Sequence, residues 1–234
     1  MDMSLARELH VVGTDFAMIY EHNSEGKFSG LGVDIITEFA RQNGDSVSFE
    51  SYPWVRAQTM VEQGQADILM GPYKTPEREK RFSYAAKPFY RDFMVFYVRK
   101  NSNMKWDGDY NSLREKKLAV INGWTYGINL ESKIVSEHLE KTQSITTGLM
   151  MLKAERFDYL ASNRRNTEAL IKNKNWQTEF ISLSQPIETQ EGYIAFCKKE
   201  NCEKLRQQFD PFFKALIASG KFASMVSGYG LTLP

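Results

Sequence analysis

The chain of 234 residues carries 30 Lys and Arg against 29 Asp and Glu, a net charge of +1, which argues against a nucleic-acid binder working through bulk charge. With 42% hydrophobic and 25% charged residues it has the composition of an ordinary globular protein, long enough for one large domain or two smaller lobes with real cores. No apolar run approaches the ~20 residues needed to cross a bilayer.

The opening Met1-Asp2-Met3-Ser4-Leu5-Ala6-Arg7 lacks the apolar centre of a signal peptide. Composition leaves two readings open, a cytoplasmic protein or a mature chain with an added start. His10 to Gly13 reads as a first strand, followed by Thr14-Asp15. Gly30 to Asn43 carries Val33, Ile36, Phe39 and Ala40 at helical spacing, and Gly44 ends that helix. Val47 to Glu50 alternates as a half-buried strand does, and Pro53 to Gln63 is a second helix with Trp54, Ala57, Met60 and Val61 on one face.

The stretch Ala66-Asp67-Ile68-Leu69-Met70-Gly71-Pro72-Tyr73-Lys74-Thr75-Pro76-Glu77-Arg78 is the richest in signal. Ile68-Leu69-Met70 suits a buried strand, and Gly71-Pro72 stops it. Thr75 then stands where an N-cap belongs, Pro76 at the first helical position and Glu77 in the first turn. Ligands of open α/β sheets gather beyond the carboxyl ends of strands, and helix N-termini favour anions. Arg78 gains nothing from a helix end that is already positive, but a guanidinium can grip a carboxylate with two parallel hydrogen bonds. The alternative is a surface Arg paired with Glu77 or Asp67.

The order β-α-β-α-β predicts a mostly parallel sheet covered by helices on both faces. Phe93 to Val98 follows as a buried strand, and the polar stretch Lys100 to Asn111 marks a region just past a domain crossing. The pattern then repeats: a strand at Lys117 to Ile121, a turn at Asn122-Gly123-Trp124-Thr125, and a helix from Ile128 to Glu140 carrying Ile134, Val135 and Leu139. A short strand at Ser144-Ile145-Thr146, a helix from Gly148 to Arg156 and a strand at Asp158 to Ser162 come next. Met60-Val61 to Asp67-Ile68-Leu69 is echoed in the same register by Met151-Leu152 to Asp158-Tyr159-Leu160, which points to two similar α/β lobes rather than one long sheet.

A helix near Thr167 to Lys172, a strand at Phe180 to Leu183 and a strand at Tyr193 to Phe196 lead into a helical remainder: Glu203 to Phe209, Phe212 to Ala218 and Phe222 to Val226. Pro211 is expected to kink or divide it. The two cysteines, Cys197 and Cys202, are too few for a zinc site without other ligands. A disulfide between them, fitting an oxidising compartment, and two unpaired thiols both remain open.

Several of these stretches together resemble the periplasmic solute-binding proteins of ABC transporters, family 3, the branch that binds polar amino acids. They are Val12-Gly13-Thr14-Asp15, Gly30-Leu31-Gly32-Val33-Asp34, Gly64-Gln65-Ala66-Asp67-Ile68, Thr75-Pro76-Glu77-Arg78, Phe82-Ser83 with Phe89-Tyr90, and Tyr193-Ile194-Ala195-Phe196. Pro53-Trp54-x-Arg56-Ala57 and Gly123-Trp124-Thr125-Tyr126-Gly127 look like a sub-branch of it. The resemblance implies an α/β, two-lobed periplasmic-binding-protein-like clamp, each lobe a mixed, mostly parallel sheet flanked by helices, with two crossing hinge strands. Residues 1–90 plus 193–234 would form lobe 1 and 91–192 lobe 2, with ligand held between them. It also implies a monomer outside the cytoplasm, its signal peptide removed, that hands an amino acid or related small carboxylate to an ABC permease, with neither cofactor nor metal.

By position, Arg78 would take the ligand carboxylate, Asp15 would accept from its ammonium group, and Trp54 would stack on its side chain. Gly71 and Tyr73 would offer backbone groups from lobe 1, Trp124 and Thr125 from lobe 2. Tyr20 or Met18 would add a wall, and Arg56 is either a second cleft cation or a solvated helix residue. Two departures stand out. The family's small hydroxyl residue two places after Gly71 is Tyr73, and the lobe-2 carboxylate that grips the amino group falls at Asn163, which is neutral. Asp15 alone would hold a zwitterion less firmly, and the implied ligand is then an unusual amino acid, or a carboxylate with no amine.

Trp54 lies on the apolar face of its helix, so core packing competes with stacking, and Asp15 has a local turn role as its alternative. Two other functions fit the same clamp: the ligand-sensing domain of a membrane receptor, and a dehydratase acting on carboxylated rings. The enzyme reading is the weakest. Asn163 cannot transfer a proton as an acid does, and His10, His22 and His138 lie far apart in the sequence with no adjacent nucleophile.

Overall fold

The structure, a computed structural model, describes residues 6–133 and 139–234. In chain order the elements are β1 (Glu8–Gly13), β2 (Glu21–His22), β3 (Phe28–Ser29), α1 (Leu31–Asn43), β4 (Ser46–Ser51), α2 (Trp54–Glu62), β5 (Ile68–Tyr73), α3 (Pro76–Arg81), β6 (Ser83–Tyr84) and β7 (Tyr90–Arg99). A 3₁₀ turn at Tyr110–Leu113 precedes β8 (Leu118–Ile121), α4 (Ile128–Lys133), β9 (Leu139–Thr142), α5 (Ile145–Lys153), β10 (Tyr159–Asn163), α6 (Arg164–Asn173), β11 (Phe180–Ser182), β12 (Glu188–Phe196), α7 (Glu200–Ala218) and α8 (Lys221–Gly228).

The chain forms two compact units, one of residues 1–91 and 191–234, the other of residues 92–190. It leaves the first inside β7, between Arg91 and Asp92, and returns inside β12, between Gln190 and Glu191. In the first unit the strands run β4-β1-β5-β12, with β1 parallel to β4 and β5, β12 antiparallel to β5, and β6 antiparallel to β12. In the second the order is β9-β8-β10-β7, with β8 parallel to β9 and β10, and β7 antiparallel to β10 and β11. Both are mixed sheets in which the strand after the second helix lies parallel beside the last strand of that sheet before the first helix, β5 beside β1 and β10 beside β8.

The local echo between the halves has one structural cause. Asp67 and Asp158 each stand just before the strand that follows the second helix of their unit, β5 and β10. Asp67 accepts from the His10 N–H through its carboxylate at 2.9 Å and gives its own N–H to the His10 carbonyl. Asp158 does the same with Lys117, at 3.0 Å and 2.8 Å. The carboxylate satisfies a donor within β1 or just before β8 and so ties that strand to its parallel neighbour, β5 or β10.

Apolar faces close each unit. In the first, Phe39 of α1 meets Phe209 of α7 edge to face at 5.3 Å, and Phe209 stacks on Phe213 at 5.5 Å. In the second, Val95, Ala119, Leu149, Leu152, Phe157 and Leu160 form one buried cluster. Among the described residues no helix is long and apolar enough to cross a membrane.

Four sequence expectations are corrected. Gly71-Pro72 does not stop its strand: β5 runs on to Tyr73, which pairs with Gly192 of β12. Leu139-Glu140 is strand, not the end of a helix: β9 takes the edge of the second sheet, with Leu139 opposite Leu118. Ile134 and Val135, assigned to that helix, lie outside the described residues. Ser144-Ile145-Thr146 is not a strand. The Ser144 hydroxyl accepts from the Thr147 N–H and caps α5, a task Ser performs better than pairing in a sheet. Pro211 does not divide the C-terminal helix, which runs unbroken as α7 because Leu205, Phe209, Phe213 and Leu216, on both sides of the proline, share one buried face. Cys197 and Cys202 are joined by a disulfide.

Candidate functional site

In each unit the parallel strands end at a common edge, and the loops beyond those ends carry most of the residues singled out above. In the first unit Asp15 follows β1, Trp54 opens α2 after β4, and Gly71, Tyr73 and Arg78 lie at the end of β5 and in the first turn of α3.

Arg78 is set by its cap. The Thr75 hydroxyl accepts from the Arg78 N–H at 3.2 Å, with Pro76 at the first helical position, so the first turn of α3 is fixed and the side chain is turned inward. Arg78 is only 6% exposed. Its Nη1 donates to the Tyr73 carbonyl at 3.0 Å, and the Tyr84 hydroxyl donates to the same oxygen at 3.1 Å. The guanidinium carbon lies 5.8 Å from the Trp54 ring centroid. Burial pushes this guanidinium down from its ordinary value, and the Tyr84 and Tyr73 phenols act in the opposite direction. A buried cation of this kind is costly, and a bound anion offsets that cost.

Trp54 meets Phe16 edge to face at 5.4 Å. Phe16 in turn lies beside Gly71, where an added Cβ would come within 3.4 Å of its ring. Gly71 has a φ of 81°, the left-handed region that excludes most side chains, and its carbonyl accepts from the Tyr90 hydroxyl at 2.5 Å. Gly71, Tyr73, Arg78, Trp54 and Phe16 therefore form one contiguous surface within the first unit.

Asp15 stands apart from that surface in its bonding. Its side chain is 55% exposed, and its Oδ1 accepts from His22 Nδ1 at 2.8 Å and from the Ser51 hydroxyl at 3.4 Å. Tyr20 is placed elsewhere. It is fully buried in the first unit, its hydroxyl donating to the Glu50 carbonyl at 2.9 Å and the Val11 carbonyl at 3.2 Å, its ring against Gly13. Those contacts make it a packing residue rather than a wall. Arg56 stacks on the Tyr52 ring at 4.5 Å.

In the second unit Trp124 and Thr125 follow β8 and Asn163 ends β10, again at the carboxyl ends of parallel neighbours. Trp124 is partly buried and packs against the apolar cluster of its unit, so packing claims part of this indole. The Thr125 hydroxyl donates to Glu131 at 2.7 Å, and the same carboxylate oxygen accepts from the Tyr126 N–H at 3.0 Å. Asn163 is 1% exposed and caps α6, its Oδ1 accepting from the Asn166 N–H at 2.9 Å.

The sequence reading missed what lies beside Asn163. Its Nδ2 donates to the carboxylate of Asp92, which also receives Arg165 through Nε at 2.9 Å and Nη2 at 2.8 Å. Arg165 Nη1 reaches Asn166 Oδ1 at 3.1 Å. The neutral residue at 163 is thus bonded to a buried carboxylate 71 positions away. The one signal in the sequence was a charged pair, Arg91-Asp92, at the start of a strand that is apolar from Phe93 to Val98. Among the described residues no group of three or more His, Cys, Asp or Glu side chains could hold a metal ion.

Two α/β units with the candidate residues at their strand ends define a class of fold rather than a particular chemistry. Residues 10–232 match the bacterial extracellular solute-binding proteins, family 3, and the chain belongs to that family. It is 18% identical over 212 residues to a probable histidine-binding protein of Campylobacter jejuni, covering 91% of this chain and 80% of the relative. Among solved structures, a histidine kinase sensor domain with similarity to periplasmic binding proteins aligns with a TM-score of 0.86 at 19% identity, over 98% of this chain and 99% of that one. A substrate-binding protein of an ABC uptake transporter from Streptococcus pneumoniae, with bound histidine, aligns with a TM-score of 0.79 at 17% identity, over 95% and 92%. At these identities the structural likeness establishes the periplasmic-binding-protein-like fold.

Proposed function

We propose that the protein captures an amino acid or a related small carboxylate outside the cytoplasm, in the periplasm or an equivalent compartment, and delivers it as a monomer to an ABC permease. One observation carries the reading: a guanidinium fixed by the Thr75 cap, buried, and lying beside Trp54 at the end of a parallel strand. Arg78 takes the carboxylate, Gly71 and Tyr73 contribute backbone groups, and Trp54 offers its ring. Asp15 receives an ammonium group where the ligand has one. No catalytic step follows capture. The family assignment and the histidine-binding name of the Campylobacter relative support an amino acid as the first ligand to try.

A thermal-shift screen of the L-amino acids and small mono- and dicarboxylates tests this. Binding to the folded state raises stability by mass action, about 2.7 kcal/mol at a hundredfold excess over the dissociation constant. At least one compound should raise the unfolding temperature. A screen in which none does removes the reading.

The second reading is a ligand-sensing domain of a membrane receptor. The observation favouring it is the 0.86 TM-score to a histidine kinase sensor domain, aligned over nearly the full length of both chains. The flanks of the gene separate the two: a leader and a stop at these ends for capture and transport, a transmembrane helix followed by a signalling module for sensing.

A further inference from the structure

Asp15 is more than half exposed, yet it is tied to a rigid support. His22 Nδ1 lies 2.8 Å from Oδ1, and because a carboxylate only accepts, that nitrogen carries the proton. The imidazole stacks on Phe28 at 5.4 Å with 30° between the planes. Phe28 lies 5.0 Å from the Tyr20 ring and 5.8 Å from Phe49, and Tyr20 is itself pinned by its hydroxyl to Val11 and Glu50. The short β2–β3 pair that carries both residues, with His22 opposite Phe28, holds the imidazole in place. The Ser51 hydroxyl, at the end of β4, also reaches Oδ1. Both donors fall on one oxygen, and among the described residues Oδ2 receives no hydrogen bond.

We infer that His22 is a positioning residue for ligand recognition: it ties back Oδ1 of Asp15 and so orients Oδ2 toward the ammonium group of an amino-acid ligand. The inference rests on the reading that Asp15 accepts from that ammonium. An exposed carboxylate left to rotate pays for its ordering when the ligand arrives. The His22–Phe28–Tyr20 stack orders it beforehand, within the fold of one unit. The device sorts ligands. A molecule with a carboxylate but no amine makes no use of Asp15, so its affinity does not depend on His22.

The test uses calorimetric titration of the full chain with the best-binding L-amino acid of the screen and with its desamino analogue, the same molecule lacking the α-amino group. His22→Phe keeps a ring on Phe28 and removes the donor, and His22→Ala serves as a second donor-less variant if the larger ring perturbs the fold. We expect either to weaken the amino acid about fivefold, the loss that immobilising one side chain accounts for, and to leave the analogue unchanged. His22→Gln, which restores a donor, should recover much of that loss. Asp15→Asn is run alongside. If it weakens the amino acid while His22→Phe and His22→Ala do not, the positioning role is wrong and the Asp15 assignment stands. If Asp15→Asn has no effect, or no L-amino acid binds the parent, the Asp15 assignment falls and the inference falls with it. Equal weakening of both ligands by the His22 variants, or no recovery with Gln, also overturns it.

Discussion

The Tyr90 hydroxyl donates a 2.5 Å hydrogen bond to the Gly71 carbonyl, and the flank of the same ring fills the space that a side chain on Gly192 would need. A Cβ at Gly192 would lie 1.9 Å from Cε1 of Tyr90 and 2.0 Å from Cζ. The strand that closes the first unit therefore uses a glycine to admit the tyrosine that steadies the backbone next to Arg78.

Gly192→Ala should destabilise the protein by about 1–3 kcal/mol or more, because a fully buried ring has to move to admit the methyl group. Urea unfolding checks this through a lowered midpoint at unchanged slope. It should also weaken ligand binding by displacing the Gly71 carbonyl. A midpoint within error of the parent would show that the ring yields freely.

The Cys197–Cys202 disulfide closes a loop with a sequence separation of 5 where β12 hands over to α7, and both residues are buried. The chain-entropy relation gives about 2 kcal/mol for a loop this short. Replacing both cysteines by Ala should lower unfolding free energy by about that amount, measured by denaturant titration. An unchanged midpoint would mean that the turn is held by its other contacts alone.

Stability should fall on the alkaline side. Burial, first among the causes, holds the phenols of Tyr20, Tyr84, Tyr97 and Tyr126 well above their ordinary value of 10.0. Tyr229 is pushed up to about 12, by burial and then by its hydrogen bond to Asp34. Above pH ~10 the unfolded chain loses phenolic protons that the folded chain keeps, so unfolding releases protons and stability declines as pH rises. The contribution is fully present below that pH. Each fully buried phenol costs about 1.4 kcal/mol per pH unit over the range where only the unfolded form ionises. Measured from about pH 8 to about pH 11.5, urea midpoints should be level up to about pH 10 and drop above it, whereas a flat profile throughout would contradict the burial of these hydroxyls.

Much of the fold could be read from the chain because its signals are local. Thr75 and Pro76 mark the start of α3 in the residues themselves, and the repeated Asp67 and Asp158 mark the same strand entry in both halves. Where partners come from afar, the chain alone misled. Leu139 is strand because Leu118 pairs with it, not because of its neighbours. Pro211 sits inside one helix because aromatic residues on both sides of it share a buried face. The candidate site divides in the same way. Arg78, Trp54 and Gly71 announce themselves through caps, turns and residue type. The Asp92–Arg165 pair, 73 positions apart, left only an Asp beside Arg91 at the start of an apolar run. Tyr20 carried no sign that two backbone carbonyls would hold its hydroxyl in the core.

Isothermal titration of the parent, Arg78→Lys and Arg78→Ala with whichever amino acid or small carboxylate stabilises the parent is the most direct test of the account. Removing the guanidinium should cost about 2–5 kcal/mol, a loss of roughly 30-fold to several thousandfold in affinity. Lys, which keeps the charge but not the planar fork, should fall between. An Arg78→Ala protein that retains its circular dichroism and binds as tightly as the parent would contradict the account.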